Sequence, residues 1–336
     1  MQSLNMYFTG QNKVEFVSEP VNDPRPNEVL VQTTKTLVST GTETICLERR
    51  FEPGSHWDRW VQYPFPPGYS LAGQVIAVGS EVQDFKPGDR VAARAHHHQY
   101  IRTTPDRLYL IPEGVSDEDA TWFGLANIVQ IGVRKAEHKL GDEIVIIGLG
   151  LLGQLVTQYA RLMGAWKIIA IDTAVKRLDM ACQHGATTAL AQNVGDAQAE
   201  VMRLTGGLGA SVVYEVTGAP AVFQKALPLL RRFGKLVLLG DTGTPSEQRL
   251  TGDVVVKGLT IVGAHDTNPP PEATDHAYWS HRKMTDLFFD YLQRGDMRVG
   301  DLVTHRYSPA DAVQAYEMLR TDRAAAMGVV FDWTQL

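Results

Sequence analysis

The run Ile144-Val145-Ile146-Ile147-Gly148-Leu149-Gly150-Leu151-Leu152-Gly153 constrains this chain more than any other stretch. Apolar β-formers lead straight into a GxGxxG pattern, and an apolar, helix-compatible segment to Gly164 follows. That order predicts a strand, a tight turn and a helix. The first Gly permits the turn, the second lets a pyrophosphate approach the backbone, and the third lets the helix pack on the strand. The helix start then offers free N–H groups to the anion. A second apolar strand, Lys167 to Asp172, ends on an acid at the spacing where adenosine ribose hydroxyls are held. Together these predict a Rossmann dinucleotide fold. NAD(H) is expected over NADP(H), because Asp172 accepts from the ribose and repels a 2′-phosphate. Lys176 and Arg177 stand nearby, and a cation there can accommodate that phosphate, so NADP(H) is the lesser alternative. The expected cofactor contacts are Gly148, Leu149, Gly150, Leu151, Leu152, Gly153, Asp172 and Arg177, with Val216, Thr217, Gly218, Leu239, Gly240 and Gly263 at later strand ends.

The sequence around this motif alternates. Helical stretches (Ala174 to Gly185, Ala219 to Arg231) separate the short apolar runs Ser211 to Val216, Lys235 to Gly240 and Thr260 to Gly263. Strands of that kind belong to a parallel sheet covered on both faces. The first third differs. Asn12 to Val17, Glu28 to Val38, Ser70 to Val78, Arg90 to Ala93, Tyr100 to Thr103 and Leu108 to Ile111 are short β-rich runs split by Pro and Gly clusters, which predicts a small barrel or sandwich. Ser116-Asp117-Glu118-Asp119 opens a helix to about Ala136. Beyond Gly263, Asn268-Pro269-Pro270-Pro271 breaks the rhythm; a helix near Arg282 to Arg294 and strands at Asp301 to Tyr307 and Gly328 to Phe331 follow. The expected organisation is a β domain over 1–120, a nucleotide domain over 121–265 and a return segment over 266–336.

Of 336 residues 44% are hydrophobic and 21% charged, with net charge −6, a surface that repels nucleic acid and anionic lipid and suits a small-molecule substrate. No run approaches the ~18 apolar residues of a membrane helix. The start at Met1-Gln2-Ser3 has no leader character. Two cysteines, Cys46 and Cys182, build no disulfide framework, so a cytoplasmic protein is expected.

The order of β domain, dinucleotide fold and return segment resembles the medium-chain dehydrogenase/reductase superfamily. The resemblance rests on Pro67-Gly68-Tyr69-Ser70-Leu71-Ala72-Gly73, Val78-Gly79-Ser80, Pro87-Gly88-Asp89-Arg90-Val91, Asp172 with Arg177, Leu239-Gly240, and Leu302-Val303-Thr304-His305 with Asp311-Ala312-Val313-Gln314-Ala315-Tyr316. It implies a GroES-like β-barrel catalytic domain joined to the Rossmann domain, and a homodimer or homotetramer paired at a sheet edge near Thr260 to Gly263. Zinc-holding members use a Cys in Cys-Gly-Thr-Asp, a His in Gly-His-Glu, and a later Cys or Glu. Here those stretches read Thr40-Gly41-Thr42-Glu43 and Gly68-Tyr69-Ser70, with Gly124 at the third place. Thr, Tyr and Gly do not replace such ligands, so no zinc is expected at the usual place. Ser39-Thr40-Gly41-Thr42-Glu43 and Pro67-Gly68-Tyr69 look most like the zinc-independent branch, which includes the dehydrogenase of the bacteriochlorophyllide hydroxyethyl group and various sugar or polyol enzymes.

The resemblance implies hydride transfer between a secondary alcohol and NAD. A zinc-free site needs a side chain to take the proton or hold the oxygen. Thr42 either contacts the substrate oxygen or caps a turn. Glu43 either orients Tyr69 or acts as base, or forms a structural pair. Tyr69 either points its hydroxyl at the reacting oxygen or fills the space of a missing metal. In an extended segment His96 and His98 face one way and His97 the other, so either set can supply a base. Trp57, Trp60, Asn127, His265 and Trp279 are candidates for substrate contact, with packing as the alternative for the aromatics. Two other readings keep the fold: an enone or quinone reductase using NAD(P)H, and a nucleotide-binding protein without catalysis.

Overall fold

The computed structural model describes residues 1–270 and 272–336. Pro271, the last residue of the proline run, lies outside the described residues. The chain divides into two compact units, unit 1 comprising 1–125 with 285–336 and unit 2 comprising 126–284.

Unit 1 begins with β1 (Gln2–Gly10) and β2 (Lys13–Pro20), an antiparallel hairpin turning at Asn12 with φ 59°. Then come β3 (Val29–Leu37), α1 (Thr40–Glu48), α2 (His56–Trp60), β4 (Leu71–Val78), β5 (Arg90–Ala93), β6 (Tyr100–Thr103), β7 (Leu108–Leu110) and α3 (Asp117–Ala120). The Ser116 hydroxyl caps α3 by accepting from the Asp119 N–H, as the sequence predicts. The chain next forms α4 (Phe123–Ala136), inside which the two units meet in sequence.

Unit 2 alternates strand and helix: β8 (Glu143–Ile147), α5 (Leu151–Leu162), β9 (Lys167–Asp172), α6 (Val175–Gln183), β10 (Thr188–Ala191), α7 (Val194–Leu204), β11 (Ala210–Glu215), α8 (Pro220–Ala226), β12 (Leu230–Leu238), α9 (Asp253–Lys257) and β13 (Thr260–Gly263). Its six strands are all parallel in the order β10-β9-β8-β11-β12-β13. That is the doubly wound order, with its switch point between β8 and β11. Val145, Ile147, Ile169, Ile171, Val213 and Leu236 fill one core beside this sheet. After α10 (His281–Gln293), β14 (Val303–Tyr307), α11 (Ala312–Thr321) and β15 (Gly328–Asp332) complete unit 1. Its main sheet runs β14-β15-β3-β4-β5-β7, with β6 also paired to β3. Met6, Phe8, Val38, Phe65, Tyr316 and Phe331 pack in one of its cores.

Several elements differ from the sequence reading: the helices α1, α2, α7 and α9 were not expected, and the helix from Ser116 is split into α3 and α4. β1 escapes it because its buried residues do not alternate cleanly. β10 escapes it because an edge strand buries only Leu190 fully. The helix expected to Arg231 stops at Ala226, since Pro228 has no N–H to continue it, and β12 starts four residues later. The segment 266–284 groups with unit 2 rather than with the return. Lys135 Nζ donates to Gly263 O and Asn268 Oδ1, Gln130 donates to Met284 O, and the Arg134 guanidinium lies 3.3 Å from the Trp279 ring centroid. Among the described residues no helix is long and apolar enough to cross a membrane.

Candidate active site

In unit 2 the glycine turn is built as its sequence requires. Gly148 has φ 91°, and a Cβ on Gly153 would sit 2.1 Å from the Gly148 carbonyl oxygen, so only glycine lets α5 approach β8. A Cβ on Gly150 would meet nothing within 4 Å; its face is open, at the start of a helix that no side chain caps. Leu149 and Leu151 are buried, so their side chains are turned away from a ligand. The Asp172 carboxylate accepts from the Leu149 N–H at 2.7 Å and the Ala174 N–H at 2.8 Å. These bonds fix an acceptor beside the turn. The residues therefore fit a dinucleotide: a cradle without side chains, helix N–H groups for a pyrophosphate and an oriented carboxylate for ribose hydroxyls.

The later strand ends converge on the same edge. Thr217 packs against Gly148, and a Cβ on Gly240 would sit 2.3 Å from the Gly218 nitrogen. The Leu239 and Gly240 N–H groups donate to Glu215 O, and the Val216 N–H donates to Ile147 O. Glu215 itself is fully buried. One carboxylate oxygen accepts from Thr217 and Gly218, while Oε2 has no partner. Burial pushes its pKa to about 7, against those hydrogen bonds. Nothing in the sequence marked this residue, because it lies within the run Ser211 to Val216 and outside the spacing from the glycine turn that singles out Asp172.

In unit 1 the segment after β5 is pinned on both sides: the His97 N–H donates to Pro67 O, and His97 O accepts from the Met6 N–H. The three histidines alternate. His97 is fully buried, its ring against Gly68, where a Cβ would sit 2.7 Å from Nε2. Its Nδ1 lies 2.7 Å from Thr36 Oγ1 and its Nε2 3.0 Å from Glu43 Oε2. Trp333 Nε1 donates to Thr36 Oγ1 at 2.9 Å. The Glu43 carboxylate accepts, so His97 carries a hydrogen on Nε2 towards it, and in the neutral ring Nδ1 accepts from the Thr36 hydroxyl, whose lone pairs receive the Trp333 N–H. Glu43 also accepts from the Ser39 N–H at 2.7 Å and from the Tyr316 hydroxyl. Both residues are thus occupied within a buried network. This corrects the expectation that His97 or Glu43 supplies a free base, and Glu43 does not bond Tyr69.

Tyr69 stands beside this network. Its hydroxyl lies 2.5 Å from Ser39 Oγ, and the Arg94 guanidinium is 5.5 Å from its ring centroid. Burial raises the phenol's pKa; the Ser39 and Thr42 hydroxyls and Arg94 oppose that rise, so Tyr69 is a neutral donor at neutral pH. Arg94 also donates to Gly124 O at 3.0 Å, and a Cβ on Gly124 would meet Ser70 Oγ at 2.4 Å. Ser39, Thr36, Arg94, Tyr316 and Trp333 were not singled out in the sequence, since each lies far along the chain from the residue it contacts or reads as an ordinary strand or helix position. Among the described residues no group of three or more His, Cys, Asp or Glu is placed to hold a metal ion.

The expected substrate contacts fare unevenly. Trp57 is only 4% exposed and packs in the core of unit 1, so the aromatic there serves packing. Trp60 is half exposed and meets Phe65 edge-on. Asn127 is buried within unit 2, and its Nδ2 donates to His281 O at 3.4 Å. His265 is exposed and bonds Thr267, and Trp279 stacks with Arg134. Gly263 O is taken by Lys135.

Residues 25–112 match the alcohol dehydrogenase GroES-like domain, and residues 152–277 match a domain described as zinc-binding dehydrogenase. Sorbitol dehydrogenase of Bacillus subtilis (strain 168) is 30% identical over 273 residues, 71% of this chain and 75% of the relative. The chain belongs to the medium-chain, alcohol dehydrogenase-like superfamily. A second member of it, D-guloside 3-dehydrogenase of Escherichia coli (strain K12), is 29% identical over 80% of this chain and 78% of its own length. A solved structure, an oxidoreductase/dehydrogenase of unknown specificity involved in membrane biogenesis from Escherichia coli, shares the fold with a TM-score of 0.84 at 22% identity, over 99% of both chains. Within the superfamily, then, the GroES-like and Rossmann parts expected from the sequence are both present.

Proposed function

We propose that this chain is an NAD-dependent, zinc-independent dehydrogenase that oxidises a secondary alcohol of a sugar, polyol or cyclitol to a ketone. The observation that carries this reading is the hydroxyl cluster of Tyr69, Ser39 and Thr42, set in the stretches where zinc-holding members of the superfamily keep metal ligands. Sugar and polyol dehydrogenases among the relatives support the substrate class. Asp172, oriented by two backbone N–H groups, supports NAD over NADP.

When bound, the nicotinamide accepts the hydride. The protein's part is to hold the alcohol oxygen and to remove its proton. Tyr69, a neutral phenol braced by Ser39, donates to the oxygen as charge develops there, and Thr42 contacts it from the same side. The fixed Arg94 cation favours that charge. A preorganised donor of this kind contributes about 10²–10³ in kcat. The buried Glu43–His97–Thr36–Trp333 network keeps α1 and the His loop rigid beneath the cluster. We also propose a homo-oligomer joined at β13, an unpaired sheet edge beside the exposed Val255 and Val256 of α9; light scattering of the purified protein checks it.

The test is to incubate the protein with NAD and a panel of sugars, polyols and cyclitols and follow absorbance of the reduced cofactor. Turnover of at least one, lowered about 10²–10³-fold by Tyr69→Phe with cofactor affinity unchanged, is expected. Good NAD binding without turnover of any alcohol would overturn the reading.

A further inference from the structure

The site described so far has a donor for the alcohol oxygen but no acceptor for its proton. Tyr69 is a neutral phenol at neutral pH. Both ring nitrogens of His97 are engaged, and Glu43 is saturated by Ser39, His97 and Tyr316. His98 lies against Tyr7 of β1, with ring centroids 5.7 Å apart, and burial presses its pKa to about 3.

We infer that His96 is the general base of the proposed reaction, held in the right tautomer by the peptide that links Gly68 to Tyr69. His96 Nδ1 lies 2.8 Å from Gly68 O. A carbonyl oxygen only accepts, so Nδ1 carries the hydrogen and Nε2 is left as a lone-pair acceptor. His96 is exposed as a residue whereas His97 is fully buried, so of the two it is His96 that a substrate can reach. The bond ties the base to the backbone of the residue whose hydroxyl holds the oxygen. A base oriented through its second nitrogen is the logic of an activating histidine. The titratable groups around it are His97 and His98 of its own loop and Glu43 of α1. Desolvation and His97 disfavour the charged ring, while the Gly68 bond and Glu43 favour it.

The step balances as follows. The alcohol O–H proton passes to His96 Nε2, the C–H electron pair leaves as hydride to the nicotinamide, and the carbon–oxygen bond becomes a carbonyl. The alcohol is oxidised, NAD is reduced, and the exposed imidazolium releases its proton to water.

This inference rests on the dehydrogenase reading, and the experiment separates the two. Multi-bond proton–nitrogen NMR of the free protein reports the His96 tautomer, and steady-state kinetics compare wild type with His96→Gln and His96→Ala. The expected result is an Nδ1–H tautomer and a fall of about 100-fold or more in kcat/KM for both variants. Melting temperature and NAD affinity stay unchanged, the acid limb of the pH profile disappears, and added imidazole partly restores His96→Ala. An Nε2–H tautomer overturns the inference without any turnover data. An active wild type whose variants lie within threefold of it, with the same pH profile, overturns the base while sparing the dehydrogenase. A wild type silent on every alcohol overturns the dehydrogenase, and the base role falls with it.

Discussion

Gly150 and Gly153, three residues apart in sequence, separate folding from binding in unit 2. At Gly150 the backbone is extended, with φ −69° and ψ −164°, and a Cβ meets nothing within 4 Å. Gly150→Ala therefore keeps the fold, with stability within about 1 kcal/mol of wild type and a gain from the stiffer unfolded chain. Its methyl, however, occupies the face on which a pyrophosphate must lie. Losing one or two phosphate hydrogen bonds, at roughly 1.5–3 kcal/mol each, weakens NAD binding at least about tenfold. At Gly153 a Cβ would lie 2.1 Å from the Gly148 oxygen, a backbone atom. Gly153→Ala must push α5 away from β8 by on the order of 1 Å, costing roughly 1–3 kcal/mol, and it loses binding as well. Urea unfolding and calorimetric NAD titration of both variants decide the matter. If Gly150→Ala binds NAD as wild type does, the open face is not the pyrophosphate site and the reasoning fails.

Asp172→Ser removes the oriented carboxylate, so the preference for NAD over NADP should shrink by roughly 10–100-fold in a paired titration. Thr36→Val orphans both Trp333 Nε1–H and His97 Nδ1, two buried groups worth roughly 1–3 kcal/mol each, and urea unfolding should show a loss of about 2–6 kcal/mol. Glu215 has its pKa raised from 4.5 to about 7, so the native state holds the extra proton. Its contribution to stability is full below about pH 4.5 and is lost as pH rises through about 7. Glu215→Gln should flatten the fall of melting temperature between pH 5 and 8, by up to about 3 kcal/mol of stability, and an unchanged slope would contradict the assignment.

The fold was legible wherever local chemistry dictated it. β5, β6, β8, β9 and β13 begin and end where Val, Ile and the flanking Gly, Pro or Asp residues place them. The glycine turn was legible because each Gly answers a separate backbone demand. Edge elements were not: β10 buries a single residue fully, and β1 gains its place through pairing with β2 and with the His loop. The polar site was legible only as a set of residue types. That Glu43 meets His97 and Tyr316, that Trp333 and His97 share the Thr36 hydroxyl, and that His96 leans on Gly68 are contacts across tens to hundreds of residues. The alternation of the three histidines was foreseeable from backbone geometry; which side held the buried acid was set by the fold of β3, α1 and α11 around it.

The proposed mechanism gives a hydroxyl cluster and a histidine the role that a metal plays in zinc-holding relatives. The direct measurement is turnover of the preferred alcohol with NAD after exhaustive chelation, alongside the zinc content of the same sample. Full activity is expected at a zinc content far below one per chain, with no gain when zinc is added back. Activity that disappears with the metal and returns with stoichiometric zinc would contradict it.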